Sequence, residues 1–291
     1  MNGEGIANVL RARTKTITVF KPHSRMDSGL FESARLLLAE ISSCLPQIAT
    51  TFRADFRRSY TGTRLDLAWK IFAPLIPVIV YTVLARSRVL PGFENVSSSA
   101  AIAAGVTLWF LFAGCVSQPV RTVETRTGMV TKTALPLSAV VLAGFAELSF
   151  ETLVRVVFTI SVFVATGTIP DMMSPAALVV LLAGTAFFFG IGLCLSMVNF
   201  VFPDTGRITN LILQYGIFVS GVIFPLSMLP GSELLAYNPF TVFIDGVRQL
   251  LFVGVPAHPI RLLVYSCFGV LTLLFGTRLF YIMELRVRGI A

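Results

Sequence analysis

Long apolar stretches separated by short polar segments form the pattern of this chain. A helix needs about 20 mostly apolar residues to cross a bilayer, and six stretches come close to or exceed that length. The pattern therefore predicts an all-α integral membrane protein with six transmembrane helices. These are Leu67–Leu84, Ala100–Val120, Leu137–Gly167, Ala176–Phe202, Ile208–Leu229 and Leu262–Ile282.

Two further segments are helical in pattern but do not fit an ordinary span. Apolar residues recur at three- and four-residue spacing from Leu30 to Leu45, which predicts an amphipathic helix that Pro46 breaks or kinks. This helix lies in the membrane interface or packs on other protein, and the pattern does not choose between them. Residues 230–260 are too short and too polar for a pair of spans. They predict a pair of short re-entrant or interfacial helices on the outer side, before the last span.

These elements divide the chain into three regions. Residues 1–29 lack apolar periodicity and are predicted to be a mobile cytosolic tail,. Residues 30–66 form the amphipathic interface region, and residues 67–291 form the six-span domain.

Composition supports the membrane class, and charge gives the orientation. Only 13% of the residues are charged, against about 25% in soluble domains, and the mean hydropathy is +0.81. Eleven of the 23 Lys and Arg lie in residues 1–70, and with both termini in the cytosol eighteen fall on the cytosolic side. Cytosolic loops carry such an excess, and it also attracts anionic lipids. The sequence has no basic stripe with interleaved aromatics, which is the pattern that would indicate nucleic-acid binding,.

Three charged residues interrupt the third predicted span. Glu147, Glu151 and Arg155 are spaced four apart and share one helical face,. Charges at this depth cost about 2.5–3.5 kcal/mol each on insertion scales, so they persist where they pair or face water. Two interpretations stay open: an internal Glu151–Arg155 pair that steadies the bundle, or a polar stripe that faces a substrate path or a dimer seam. A position near the membrane interface would also accommodate them.

The chain lacks residues for most catalytic or metal chemistry. Two histidines and four widely separated cysteines provide no zinc motif and no His-based triad,. None of the four lysines follows a glycine, so a phosphate-binding Gly-Lys loop is absent,. We therefore predict no catalytic residue, no metal site and no cofactor in this chain.

Two motifs resemble a known family. The approach to the first span contains Arg57, Arg58, Tyr60 and Gly62, followed by Thr63, Leu65, Trp69 and Pro74. This pattern resembles the permease subunits of bacterial polysaccharide exporters of the ATP-binding-cassette superfamily. A second similarity, before the last span, is carried by Asn238, Pro239 and Arg248.

A third element, Ser220–Pro225, is also similar to the family but has Gly221 where the family usually has Pro. The similarity as a whole covers roughly residues 50–285.

The resemblance implies a function and its partners. Two copies of the chain would form a conduit in the bacterial inner membrane, among membrane lipids, with two separate ATPase subunits that bind ATP and Mg. The cargo would be a lipid-linked polysaccharide such as O-antigen, capsule or teichoic acid. The loop of residues 121–136 would dock on the ATPase, although it also fits an ordinary basic loop. Its charged residues are Arg121, Glu124, Arg126 and Lys132.

Two alternatives remain at this point. A permease of the same superfamily that exports drugs or lipids would have a similar sequence. A membrane-embedded enzyme acting on a lipid-linked sugar would need paired carboxylates in an external loop. The predicted outer segments contain only isolated ones, namely Glu94, Asp171, Glu233 and Asp245.

Overall fold

The computed structural model describes residue 25 and residues 29–58, 66–93, 96–130, 136–228 and 231–290. The described residues form helices and no strand, which confirms the predicted all-α membrane fold. The helices are α1 (Leu30–Ser43), α2 (Leu45–Arg58), α3 (Asp66–Arg86), α4 (Ser98–Val130), α5 (Leu137–Thr166), α6 (Ser174–Val201), α7 (Asp204–Gly216), α8 (Ser232–Leu235), α9 (Pro239–Phe252) and α10 (Pro259–Ile290).

Five of the described helices are long and apolar enough to cross a membrane. The five candidate spans lie within α3, α4, α5, α6 and α10, and they match five of the six predicted spans. Helix α4 is the central one, because most of its span is buried by the other helices. The end of the bundle that holds Leu137 is called the proximal end below, and the end that holds Gly167 is the distal end.

The predicted fifth span, Ile208–Leu229, is not one long helix. Helix α7 ends at Gly216 and is followed by one 3₁₀ turn, Ile217–Val219. The chain nevertheless travels along the bundle. The Gly206 amide N–H donates to the Asn199 side chain, 2.6 Å away, at the proximal end of α6.

Further along the chain, the same segment approaches α4. A Cβ atom on Gly216 would lie 2.8 Å from the Trp109 ring, and one on Gly105 would lie 3.4 Å from Val222. Gly105 is close to the distal start of α4. The segment therefore runs from the proximal end almost to the distal end, first as a helix and then as irregular backbone.

The amphipathic region consists of two helices. Helix α1 ends at Ser43 and α2 begins at Leu45, with Pro46 in its first turn, where the missing amide donor is tolerated,. Ile48 packs on Ala139 and Ala143 at the start of α5. Phe31 and Leu38 remain exposed. Part of the apolar surface therefore packs on α5, while another part is exposed on the described structure.

Close helix contacts depend on glycine. A Cβ atom on Gly190 of α6 would lie 2.5 Å from the Leu273 amide nitrogen of α10. A Cβ on Gly192 would lie 2.4 Å from the Cys115 carbonyl oxygen of α4. Small residues allow backbones to approach closely in membrane bundles, so these two positions set the spacing of α6 against its neighbours.

Aromatic side chains fill the middle of the bundle. The Phe188 ring stacks on Phe240 with centroids 4.1 Å apart and on Phe112 at 5.0 Å. Phe243 is fully buried and contacts Phe112 and Phe187. The short helix α9 is thereby anchored between α4 and α6, and these rings contact each other rather than solvent or lipid.

Candidate functional site

The three charged residues of α5 face α3. Glu147 pairs with Lys70 of α3 at 3.5 Å, and Glu151 pairs with Arg155 at 3.1 Å. Both carboxylates are partly exposed, whereas Arg155 is only 6% exposed. The face predicted from the four-residue spacing is therefore present, and it contains two ion pairs.

Arg155 is the most buried member of this group. Its Nε donates to the Pro74 carbonyl oxygen of α3 at 3.2 Å, and its guanidinium carbon lies 5.0 Å from the centre of the Phe110 ring of α4. One side chain thus connects α3, α4 and α5. A cleft of about 280 Å³ opens beside it, lined by Trp69, Lys70, Ala73, Pro74, Glu147, Phe150 and Glu151. Charged groups in a cleft between two spans suit a polar path or a seam between copies.

The second motif joins two distant segments near the distal end. Asn238 caps α9, because its Oδ1 accepts from the Phe240 amide at 3.1 Å, and its Nδ2 donates to Ser220 Oγ at 3.2 Å. Pro239 occupies the first position of α9, where its fixed φ suits a helix start,. The sequence predicted Ser220–Pro225 and Asn238–Pro239 as separate elements, and the structure places them in contact.

Arg248 completes this junction. It is 5% exposed and donates from Nη2 both to the Gly221 carbonyl oxygen and to Asp245 Oδ1, the latter at 3.1 Å. Its guanidinium lies 4.7 Å from the centre of the Phe93 ring. Burial raises the pKa of the Asp245 carboxyl, and the charge on Arg248 opposes this rise.

The departure at position 221 has a physical reason. Gly221 has a φ of 66°, in the left-handed region that proline, with φ near −65°, cannot adopt. This chain therefore uses a glycine-specific turn at the point where its backbone accepts from Arg248.

Three of the four residues predicted to dock on the ATPase lie on a continuous helix. Helix α4 extends to Val130, so Arg121, Glu124 and Arg126 belong to its last turns rather than to a loop. Arg121 and Glu124 are exposed and Arg126 is half-buried. Lys132 lies outside the described residues. Charged groups that project from a long helix at the proximal end form a surface to which another protein could bind.

The motif that precedes the first span, Arg57, Arg58, Tyr60 and Gly62, is described only in part. Arg57 and Arg58 are the last two residues of α2, and their side chains are not described. Tyr60 and Gly62 lie outside the described residues. The role of this motif stays a prediction.

A buried carboxylate at the proximal end was missed. Glu284 of α10 is 0% exposed, and its Oε1 accepts from the Leu137 amide of α5 at 2.7 Å. Its Oε2 lies 3.4 Å from Arg25, which also donates to the Tyr281 carbonyl oxygen at 3.0 Å. The mobile tail predicted for residues 1–29 thus includes one residue that packs on α10. A carboxylate at the end of an apolar run was the only signal in the sequence.

The described residues contain no cluster of potential metal ligands. No group of three or more His, Cys, Asp or Glu side chains is close enough there to hold an ion. Thiol, imidazole and carboxylate groups are the usual ligands of zinc. The described residues therefore give no basis for a metal site.

Comparisons with known proteins agree with the membrane-spanning architecture of the described helices. Residues 46–252 match the family model described as ABC-2 type transporter. The chain is 20% identical over 246 residues to the polysialic acid transport protein KpsM of Escherichia coli, covering 81% of this chain and 93% of that protein. It is 21% identical over 222 residues to the O-antigen export system permease protein RfbA of Klebsiella pneumoniae, covering 75% of this chain and 85% of that protein.

Proposed function

Because the chain belongs to the ABC-2 type transporter membrane family, we propose that it is the permease subunit of a bacterial exporter of lipid-linked polysaccharide. The observation that carries this proposal is the family match over residues 46–252, together with two kinds of polysaccharide export relative aligned over 75–81% of the chain. Five long apolar helices agree with a multi-pass protein of the inner membrane.

The energy for transport comes from a partner. The sequence has no Gly-Lys pair for a phosphate loop,, so ATP and Mg bind to separate ATPase subunits. These subunits dock at the proximal end, where Arg121 and Glu124 are exposed on the last turns of α4. Helix α4 is also the most buried span, so a displacement of its end reaches the centre of the bundle.

The conduit lies between two copies of the chain. Within the described residues the bundle centre is filled by aromatic rings such as Phe112, Phe188 and Phe243. A polymer therefore has no path through the middle of one described bundle. A homodimer with two ATPase subunits provides a seam, and a two-fold pair is the commonest symmetric assembly. The partly exposed Glu147 and Glu151 give that seam polar groups.

The proximal end faces the cytosol and the distal end faces outward. Eighteen of the 23 Lys and Arg then fall on the cytosolic side, as the positive-inside rule requires. Both termini are cytosolic if the segment from α7 to Val222 counts as a crossing. Its passage from Asn199 almost to the distal start of α4 supports this topology.

The proposal is tested in the source bacterium. Deleting the gene should abolish surface polysaccharide, and the affinity-tagged chain should bring an ATPase with it from native membranes. Exchanging charges with Glu124→Arg and Arg126→Glu should weaken that association, because the sign of the charge is reversed at both positions near the end of α4. The matched control is Arg86→Glu with Glu233→Arg, two exposed residues at the distal end.

Two results would contradict the proposal. Unchanged surface polymer after deletion would favour an exporter of drugs or lipids, which the same cells would reveal by a changed drug resistance or lipid distribution. ATPase recovery that is equal for the proximal exchange and the distal control would remove the end of α4 as the docking surface.

A further inference from the structure

Two cavities adjoin each other beside α9, near the distal end. One has a volume of about 740 Å³ and the other of about 240 Å³. They share Asp245 and Gln249 of α9 as part of their lining, together with the segment Pro256–Ala257. Ligand pockets are usually about 300–1,000 Å³, so the larger cavity can hold a ligand and the smaller one extends it. We call the two together the distal cavity pair.

Each cavity is lined by a buried donor without a protein partner among the described residues. Arg248, 5% exposed, lines the larger cavity, and its Nη1 makes no hydrogen bond. Thr241, 2% exposed, lines the smaller one, and its Oγ1 makes none either. Buried polar groups in native proteins are nearly always satisfied. Because these two side chains lie in the walls of adjoining cavities, their unsatisfied donors point to a ligand that supplies acceptors.

The cavity pair also offers acceptors and apolar walls. The Asp245 carboxylate is partly exposed, and its Oδ1 is shared with Arg248. Phe93 and Phe252 line the larger cavity. An ionised carboxylate only accepts hydrogen bonds, a guanidinium only donates, and a hydroxyl does both. A ligand that bears several hydroxyl groups can therefore satisfy both kinds of group.

From this combination we propose that the distal cavity pair binds a saccharide unit of the exported polymer through its hydroxyl groups. The inference rests on the proposed function, and it adds a sugar subsite beside α9, near the distal end. Arg248 and Arg261 line the cavity pair together with Asp245, so the charges admit either a neutral or an acidic sugar. The orphan donors argue against a purely apolar ligand, which would leave them unsatisfied.

The test uses the full chain, purified in a zwitterionic detergent because detergents with sugar head groups would compete. Methyl α-glucopyranoside and methyl α-mannopyranoside are the probes, and saturation-transfer NMR measures their contact with the protein. The expected result is transfer to the ring protons of at least one glycoside. Asp245→Asn should weaken binding about tenfold through loss of a charge-assisted hydrogen bond, and Thr241→Val should weaken it about threefold.

Glu233→Gln is the matched control, because this exposed carboxylate also lies near the distal end but does not line the cavities. It should bind the glycoside as the unaltered chain does. Each variant must elute as a single species and recover the ATPase partner. If Asp245→Asn fails this check, Thr241→Val carries the test alone.

Three outcomes overturn the inference. No transfer from either glycoside to the unaltered chain would mean that the cavities hold only water. Binding that neither variant weakens would place the sugar elsewhere. Displacement of the glycoside by inorganic phosphate would identify an anion site instead. Absence of glycoside binding in a chain whose deletion removes surface polymer would refute the sugar subsite and leave the exporter proposal intact.

Discussion

Replacing Glu284 by alanine should destabilise the protein more than almost any other single change of a charged residue. Glu284 is fully buried, and its Oε1 is the acceptor for the Leu137 amide at the first position of α5. Its Oε2 pairs with Arg25, whose side chain is also largely buried. The alanine variant removes both contacts at once and leaves the Leu137 amide without its acceptor.

The magnitude follows from these two losses. A buried amide without an acceptor costs about 1–3 kcal/mol, and breaking a buried ion pair costs about 3–5 kcal/mol. Arg25 is not left unpaired, because it keeps Glu40 at 3.7 Å. Most of the second cost is therefore avoided, and we expect about 3 kcal/mol in total. At roughly 2–4 °C per kcal/mol for a chain of about this size, the unfolding midpoint should fall by about 10 °C. Glu284→Gln retains an acceptor for Leu137 and should cost about 1–2 kcal/mol.

Thermal unfolding of the detergent-purified chain, followed by loss of the monodisperse elution peak, measures this effect. Glu124→Ala is the control, since it removes an exposed carboxylate and should change stability by about 0.5 kcal/mol or less. Equal midpoints for the Glu284 and Glu124 variants would refute the role assigned to the buried carboxylate. Adding Arg25→Ala to Glu284→Gln should give less than the sum of the single effects if the two residues are coupled.

Three further predictions concern packing and the charged residues. Gly190→Val should lower the yield of folded protein because of its contact with α10, whereas Gly29→Val, with open space around it, should not. Glu151→Leu combined with Arg155→Leu should leave a folded protein that displays little surface polymer, and full display would reduce the pair to scaffolding. Arg248→Lys should lower the unfolding midpoint by an amount equivalent to about 1–3 kcal/mol, because one ammonium group cannot replace the fork of donors; an unchanged midpoint would contradict this.

The sequence predicted the long helices well because their length is set by the bilayer. Five apolar runs became five long helices, and the face shared by Glu147, Glu151 and Arg155 followed from helical geometry alone. The run Ile208–Leu229 failed as a single helix because apolar content does not distinguish helix from irregular backbone. Gly221, with its positive φ, marks the point where the backbone is far from helical.

Partners that are distant in the sequence could not be predicted. The carbonyl group that accepts from Arg155 belongs to Pro74, 81 positions away, and the amide that binds Glu284 belongs to Leu137, 147 positions away. Such contacts arise from the packing of whole helices, which periodicity does not encode. Glu284 resembled a solvent-exposed charge because Arg286 follows closely and the apolar run ends there.

Helix α5 connects the proposed docking end to the rest of the bundle. Its start is held by Glu284 of α10, and Arg155 near its middle binds the Pro74 carbonyl of α3. Thr159, one turn further, shares a 2.8 Å hydrogen bond with Thr107 of the central helix. Helix α5 is thus bonded to three neighbouring helices, α10, α3 and α4, at three levels along its length. In the proposed exporter, a displacement at the start of α5 would therefore be passed on to both α3 and α10, which is the motion expected for opening the proposed seam between two copies.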